Sequence, residues 1–223
     1  MIPFLQSNLL WTEGLQIVTV LAALALGALL LYRPLFWGVV GLFIFSFYFF
    51  RNPDRVCVQA LTDPAIIVCP ADGKIVDIQR DGNTLEGYAY KISIFLSPFD
   101  VHVNWSPVAG VVEAVTYRPG TFSLAFLPKS SELNERNDVR IVMPDGRTVL
   151  VRQIAGTIAR RICCWVKEGD ELKAGQKIGM IRFGSRVDLF LPVNVELMVG
   201  RGQRVYGGHT VIGVLRQAQD ERE

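Results

Sequence analysis

Histidine is nearly absent from this chain: 223 residues hold only His102 and His209. A histidine-built metal centre is argued against from the outset, and no metal is expected. Cysteine is also sparse. Cys57, Cys69, Cys163 and Cys164 offer no C-x-x-C pair, which excludes a zinc knuckle or a dithiol redox motif. All four read as reduced thiols in a cytosolic setting. Excess charge is missing too. Lys and Arg number 23 against 21 acidic residues, a net +2, which gives no footprint for nucleic acid. Residues 1–14 contain no Lys or Arg, so the basic head of a cleaved signal peptide is not there.

What is present is apolar length. Residues 15–32 carry no charge, and neither do residues 35–50; only Arg33 and Pro34 separate them. A membrane span needs about 17–25 mostly apolar residues. The expectation is an N-terminal transmembrane helical hairpin, or one span plus a re-entrant segment, turning at Arg33-Pro34. Residues 1–50 are thus read as a membrane anchor and residues 51–223 as one further domain, a normal size for a single core. Arg51 and Arg55 follow the second run directly and place that domain at the cell membrane on its cytoplasmic side. Arg160, Arg161, Arg182, Arg186, Arg201 and Arg204 are available to anionic lipid or to plain solvent.

From Ile66 onward short apolar runs alternate with turn signals, the grammar of β structure. Strands are expected at Lys74–Ile78, Tyr90–Leu96, Val101–Trp105, Val111–Tyr117, Ile158–Val166, Ile178–Arg182, Val187–Leu191, Val193–Val199 and Thr210–Leu215. Val139–Met143 and Thr148–Ile154 flank Pro144-Asp145-Gly146-Arg147, a hairpin signal. Residues 121–138 break the pattern and read as a long loop or short helix, a candidate cover for a binding site. The fold class is mainly β: a curled antiparallel β-sandwich or barrel-like domain. Residues 166–179 resemble the turn-and-strand pattern of biotinyl/lipoyl-type domains, which supplies a rival function, a membrane-tethered adaptor or carrier. A carrier needs an exposed lysine at a hairpin tip; Phe183-Gly184-Ser185 stands there instead.

Gly184-Ser185 sits inside a strand-like apolar run. It reads as a strand bulge, or as a self-cleavage site, since glycine leaves its carbonyl open to attack by the serine hydroxyl. The order of the flanking motifs bears on the choice. Phe49-Phe50-Arg51-Asn52-Pro53-Asp54-Arg55 is followed by Pro70-Ala71-Asp72-Gly73-Lys74, then by Leu96-Ser97-Pro98-Phe99-Asp100-Val101-His102-Val103-Asn104. Tyr117-Arg118-Pro119-Gly120, Asn134-Glu135-Arg136-Asn137 and Phe183-Gly184-Ser185 complete the series. Over residues 49–215 this ordered set resembles the short form of the phosphatidylserine decarboxylase family.

The resemblance implies self-cleavage between Gly184 and Ser185 and an autocatalytic origin for the cofactor. The Ser185 hydroxyl attacks the Gly184 carbonyl, the amide becomes an ester, and loss of the Ser185 Cα proton expels the Gly184 carboxylate. The dehydroalanine left behind tautomerises to an imine, which water hydrolyses with loss of ammonia, giving a covalent pyruvoyl group at position 185 and no need of pyridoxal phosphate. That group forms a Schiff base with the amine of phosphatidylserine in the membrane and accepts the electrons left by carbon dioxide. The product is phosphatidylethanolamine. A serine-headgroup ether lipid presents the same amine and carboxylate. The two pieces, β and α, stay together as a heterodimer, with a higher oligomer left open.

The resemblance also assigns roles. Asp72 and a histidine activate the serine, and His102 is the acid/base of decarboxylation. Asp100 orients His102 or pairs with an arginine, strand alternation placing the two on one face. The chain departs from the pattern at two positions. Trp105 stands where longer members carry a second histidine, and Arg118 where short ones often carry His. His209 is not expected in the chemistry.

Overall fold

The computed structural model describes residues 11–80, 85, 87–120, 134–156, 161–182 and 185–216. The chain divides into two compact units, Met1–Asp54 and Arg55–Glu223.

In the first unit both uncharged runs are helical. Helix α1 covers Trp11–Leu31 and α2 covers Arg33–Phe49, with Tyr32 extended between them. Pro34 sits in the first turn of α2, where its missing N–H costs nothing. The helices pack closely: a side chain at Gly14 would meet the Phe50 ring at 2.9 Å. Val20, Leu24, Leu26, Leu29, Leu35, Trp37, Leu42 and Ile44 remain exposed. The expected transmembrane hairpin needs correction. Among the described residues no helix is long and apolar enough to cross a membrane. The 17 residues of α2 rise about 26 Å, and α1 spends its first turn on Glu13, leaving a charge-free part of much the same length. The hydrocarbon layer is about 30 Å thick.

The second unit is mainly β. A short helix, α3 (Val58–Thr62), precedes β1 (Ile66–Val68), β2 (Gly73–Arg80), β3 (Tyr90–Leu96), β4 (Val103–Trp105) and β5 (Gly110–Arg118). Then come β6 (Arg136–Val142), β7 (Thr148–Ala155), β8 (Ile162–Cys164), β9 (Glu171–Leu172) and β10 (Lys177–Ile181). The last are β11 (Ser185–Leu191), β12 (Val195–Leu197), β13 (Arg204–Val205) and β14 (Val211–Leu215). Eight strands form one antiparallel sheet in the order β13-β2-β3-β11-β7-β6-β5-β9. Two small sheets, β1-β14-β12 and β4-β10-β8, complete the unit. Register shifts at Ile75/Asp77 in β2 and Val112/Ala114 in β5 mark bulges, which bend and twist a sheet. The result is a curled antiparallel half-barrel whose inner face carries the apolar core, including Ile75, Ile94, Leu96, Val151, Val187 and Leu189.

The expected break over 121–138 is too long at its far end. Asn134 already makes a bridge and β6 begins at Arg136, because Asn137 and Asp138 each find partners on β7. Residues 121–133 lie outside the described residues. Val101 and His102, expected in a strand, precede β4 and are unladdered.

Candidate active site

Strand β11 is the centre of the large sheet. Ser185–Leu191 pairs with β3 on one edge, and Ser185–Phe190 with β7 on the other. Ser185 heads the strand, opposite Leu96 and Ala155, on the core side. It is fully buried, and its Oγ has no hydrogen-bond partner among the described residues. Leaving a buried hydroxyl unsatisfied costs about 1–3 kcal/mol, so such an atom needs an explanation. Gly184, the other half of the expected cleavage site, lies outside the described residues.

Strand β10 leads toward Ser185, and its last residue, Ile181, donates its N–H to the His102 carbonyl at 3.1 Å. His102 is wholly buried. Its Nδ1 lies 3.0 Å from the main-chain carbonyl of Asp100. A carbonyl only accepts, so Nδ1 carries a proton, and Nε2 is the nitrogen that can give up or take one. The Asp100 carboxylate is turned elsewhere. One oxygen accepts from the Ser97 N–H and hydroxyl, both at 2.8 Å. The other binds the Arg204 guanidinium, and that neighbour holds Arg204 still more firmly in its charged form. Asp100 thus uses different atoms for its two contacts: its backbone carbonyl faces His102 Nδ1 and its side chain pairs with Arg204.

Asp72 belongs to a second cluster. It is buried in the turn before β2, where Arg55 grips both carboxylate oxygens and the Gly207 N–H donates at 2.8 Å. The following Gly73 has φ +152°, and a side chain there would meet the Phe95 carbonyl at 2.2 Å; only glycine fits. Trp105 is fully buried beneath the Gly207-Gly208 turn, 2.3 Å from where a Gly207 side chain would begin. Arg55 lies 5.3 Å from its ring centre. An indole donates only, so Trp105 fills space in place of a second base. The guanidiniums of Arg55 and Arg204 each lie 6.0 Å from the Tyr206 ring centre, which joins the Asp72 and Asp100 clusters. His209 is exposed on the neighbouring turn. Nearby Cys69 is inert as a nucleophile: burial pushes its thiol up to about 12, and its S–H donates to the Ala71 carbonyl.

Two further features escaped the reading of the sequence. A chain of buried amides runs on the inner face: Asn137 donates to Gln153 at 3.0 Å, and Gln153 donates to Asn104 at 2.8 Å. It ties β6 and β7 to β4, two residues from His102. On the opposite face of β11, Arg186 donates to Asp188 and to Ser93, both at 2.6 Å. Lys91 reaches Asp188 at 3.6 Å, and Arg152 clasps Asp138 with two bonds of 2.7 and 2.8 Å. Alternating apolar residues were the signal for strands; Gln153 breaks that alternation on the inner face, while Arg186 keeps it with Asp188 and so was read as open to lipid or solvent, although it is buried.

The comparisons with known proteins meet the geometry at this point. The family model described as phosphatidylserine decarboxylase matches residues 42–213. The chain is 49% identical over 214 residues to a phosphatidylserine decarboxylase proenzyme of Carboxydothermus hydrogenoformans, covering 93% of this chain and 97% of that protein. It is 43% identical over 209 residues to the proenzyme of the same name from Ruegeria pomeroyi, covering 92% and 94%. Against the proenzyme of Cereibacter sphaeroides the identity is 44% over 215 residues, covering 94% and 91%.

Proposed function

The chain belongs to the phosphatidylserine decarboxylase family, and on that premise we propose that it converts phosphatidylserine to phosphatidylethanolamine through a pyruvoyl group made from its own Ser185. It is a carboxy-lyase made as a proenzyme. The observation that carries the site assignment is the buried Ser185 hydroxyl with no partner among the described residues. A serine at the head of a strand, on the core side, suits conversion into a ketone at a new chain end. What that group supplies is an electron sink for the pair left when the headgroup carboxylate departs as carbon dioxide.

The chain's own residues do the rest. Ser185 Oγ attacks the carbonyl of Gly184, and the chain is cut before β11. The cut does not free the small piece. Strand β11 lies between β3 and β7, β13 pairs with β2, and β14 pairs with β1, all from the larger piece. His102 serves as acid and base at Nε2, the nitrogen left basic by the bond from Nδ1 to Asp100. It returns a proton to the substrate α-carbon. Ser97 and Arg204 hold Asp100, and so hold His102 in aim. Asp72, gripped by Arg55 and Gly207, fixes the adjoining turn and contributes a negative charge to the site.

Residues 51–223 are the decarboxylase domain and residues 1–50 the membrane-contacting element, whose exposed apolar side chains suit lipid. The domain faces the cytoplasm, where the negative leaflet attracts a basic residue such as Arg51 next to an apolar helix. The intact mass of the purified protein tests the reading. Two fragments are expected, the smaller about 4 kDa by proportion to the 24.9 kDa chain, with a pyruvoyl-blocked first residue. A single uncut chain that still releases carbon dioxide from phosphatidylserine would overturn it.

A further inference from the structure

At the edge of the large sheet, Arg204 of β13 lies directly opposite Lys74 of β2. Both side chains share one face and both are exposed. Like charges directly opposite repel, and a third, Arg201, stands exposed on the turn before β13, its Nε donating to the Val76 carbonyl at 2.9 Å. Among the described residues the carboxylate bound to this group is that of Asp100, itself buried. The edge therefore keeps a surplus of positive charge. Two aromatic residues flank it. Phe99 is 64% exposed, next in sequence to Asp100, and Tyr206 is 45% exposed beneath the Arg204 guanidinium.

This cluster lies at the same end of the sheet as Ser185. Lys74 pairs with Phe95, and the next residue of β3, Leu96, pairs with Ser185. Two to three strand spacings, roughly 10–15 Å, separate the basic pair from the serine. The turn that presents Phe99, Ser97–Asp100, runs on from Leu96 and carries the carbonyl that holds His102.

We propose that Lys74, Arg201 and Arg204, with Phe99 and Tyr206, form a surface that seats the catalytic unit on an anionic lipid bilayer. The inference rests on the decarboxylase reading and adds where that unit meets its substrate. Charge selects the occupant: the surplus matches the phosphates and carboxylates of a negative headgroup layer. The exposed aromatics match the zone just beneath, where amphipathic and aromatic rings settle. Seated there, the end of the sheet at which β11 begins lies at the lipid plane, with the basic pair on the outer face and Ser185 on the inner one.

The test uses the full chain. Turnover is measured on vesicles of phosphatidylcholine with a fixed small fraction of phosphatidylserine, with and without added phosphatidylglycerol. It is measured again on a water-soluble short-chain phosphatidylserine with no bilayer present. Wild-type vesicle turnover should rise with phosphatidylglycerol and fall with salt. Lys74→Glu combined with Arg201→Glu should lose about tenfold or more of vesicle turnover, together with the response to phosphatidylglycerol. Its short-chain rate should hold within about twofold. Phe99→Ser should show the same split to a smaller degree, and Lys74→Gln with Arg201→Gln should fall between. Unchanged vesicle turnover in the charge-reversed variant overturns the proposal. So does an equal loss on both substrates, which would assign these residues to the headgroup pocket. Failure of the decarboxylase reading looks different: wild type itself would be uncut and inactive.

Discussion

Ser185 and Arg186 are neighbours in one strand, yet they face opposite sides of the sheet and meet opposite fates. Both are almost wholly buried. On the inner face the Ser185 hydroxyl has no partner among the described residues. On the outer face Arg186 is bonded to Asp188 and Ser93, and Asp188 also faces Lys91. One side of the strand is fastened as tightly as buried charge allows, and the other leaves a reactive atom uncommitted. The difference teaches how a chain can hold a buried nucleophile without a partner. The outer network ties the strand to β3, which opposes a shift of the strand that would relieve the cost of the unsatisfied hydroxyl.

The largest effect tests the inner face. Ser185→Ala should abolish cutting and turnover altogether, leaving one band on a denaturing gel. Normal cutting in this variant would detach the comparison from the chemistry. Next is His102→Asn, which keeps a donor for the Asp100 carbonyl and deletes the basic Nε2. Turnover should fall about 10²–10⁴-fold, with the thermal midpoint little changed. Full activity would remove His102 from the mechanism. The outer face is broken by Arg186→Met. Removing one partner of a buried ion pair costs about 3–5 kcal/mol, and Lys91, 3.6 Å from Asp188, keeps the loss near the lower figure. Urea unfolding measures it; a change below about 1 kcal/mol would mean the outer network does not fasten the strand.

The two faces were not equally legible in the sequence. Alternation and turn residues located most strands, and β3 falls at the expected Tyr90–Leu96. The ordered motifs nominated Ser185, His102, Asp72 and Asp100 as candidates. Their partners stayed hidden because an ion pair leaves no local trace: Arg55 and Asp72 are 17 residues apart, and Asp100 and Arg204 are 104 apart. Gln153 and Arg186 were hidden for another reason. A polar residue in a strand is normally taken as facing water, and here both faces of the two central strands β7 and β11 are buried. The helices erred the opposite way. Apolar composition suggested a membrane crossing, but among the described residues no helix is both long and apolar enough to make one.

A second buried nucleophile sharpens the comparison most finely. Cys69 is as buried as Ser185, but its S–H is committed to the Ala71 carbonyl. Burial raises its pKa from 9.0 to about 12, so the folded state holds the neutral thiol. Above pH 9 the unfolded chain releases that proton and the folded chain does not. The stabilising contribution is whole below pH 9 and is lost at about 1.4 kcal/mol per pH unit as pH rises toward 12. Cys69→Ser keeps a donor for Ala71 and removes the ionisation. Unfolding free energies of wild type and variant between pH 8 and 10.5 should therefore converge as pH rises, the wild type alone losing this increment. Parallel curves would mean that Cys69 is more open than its burial implies. The bond to Ala71 would then no longer separate an inert core thiol from the hydroxyl left without a partner among the described residues.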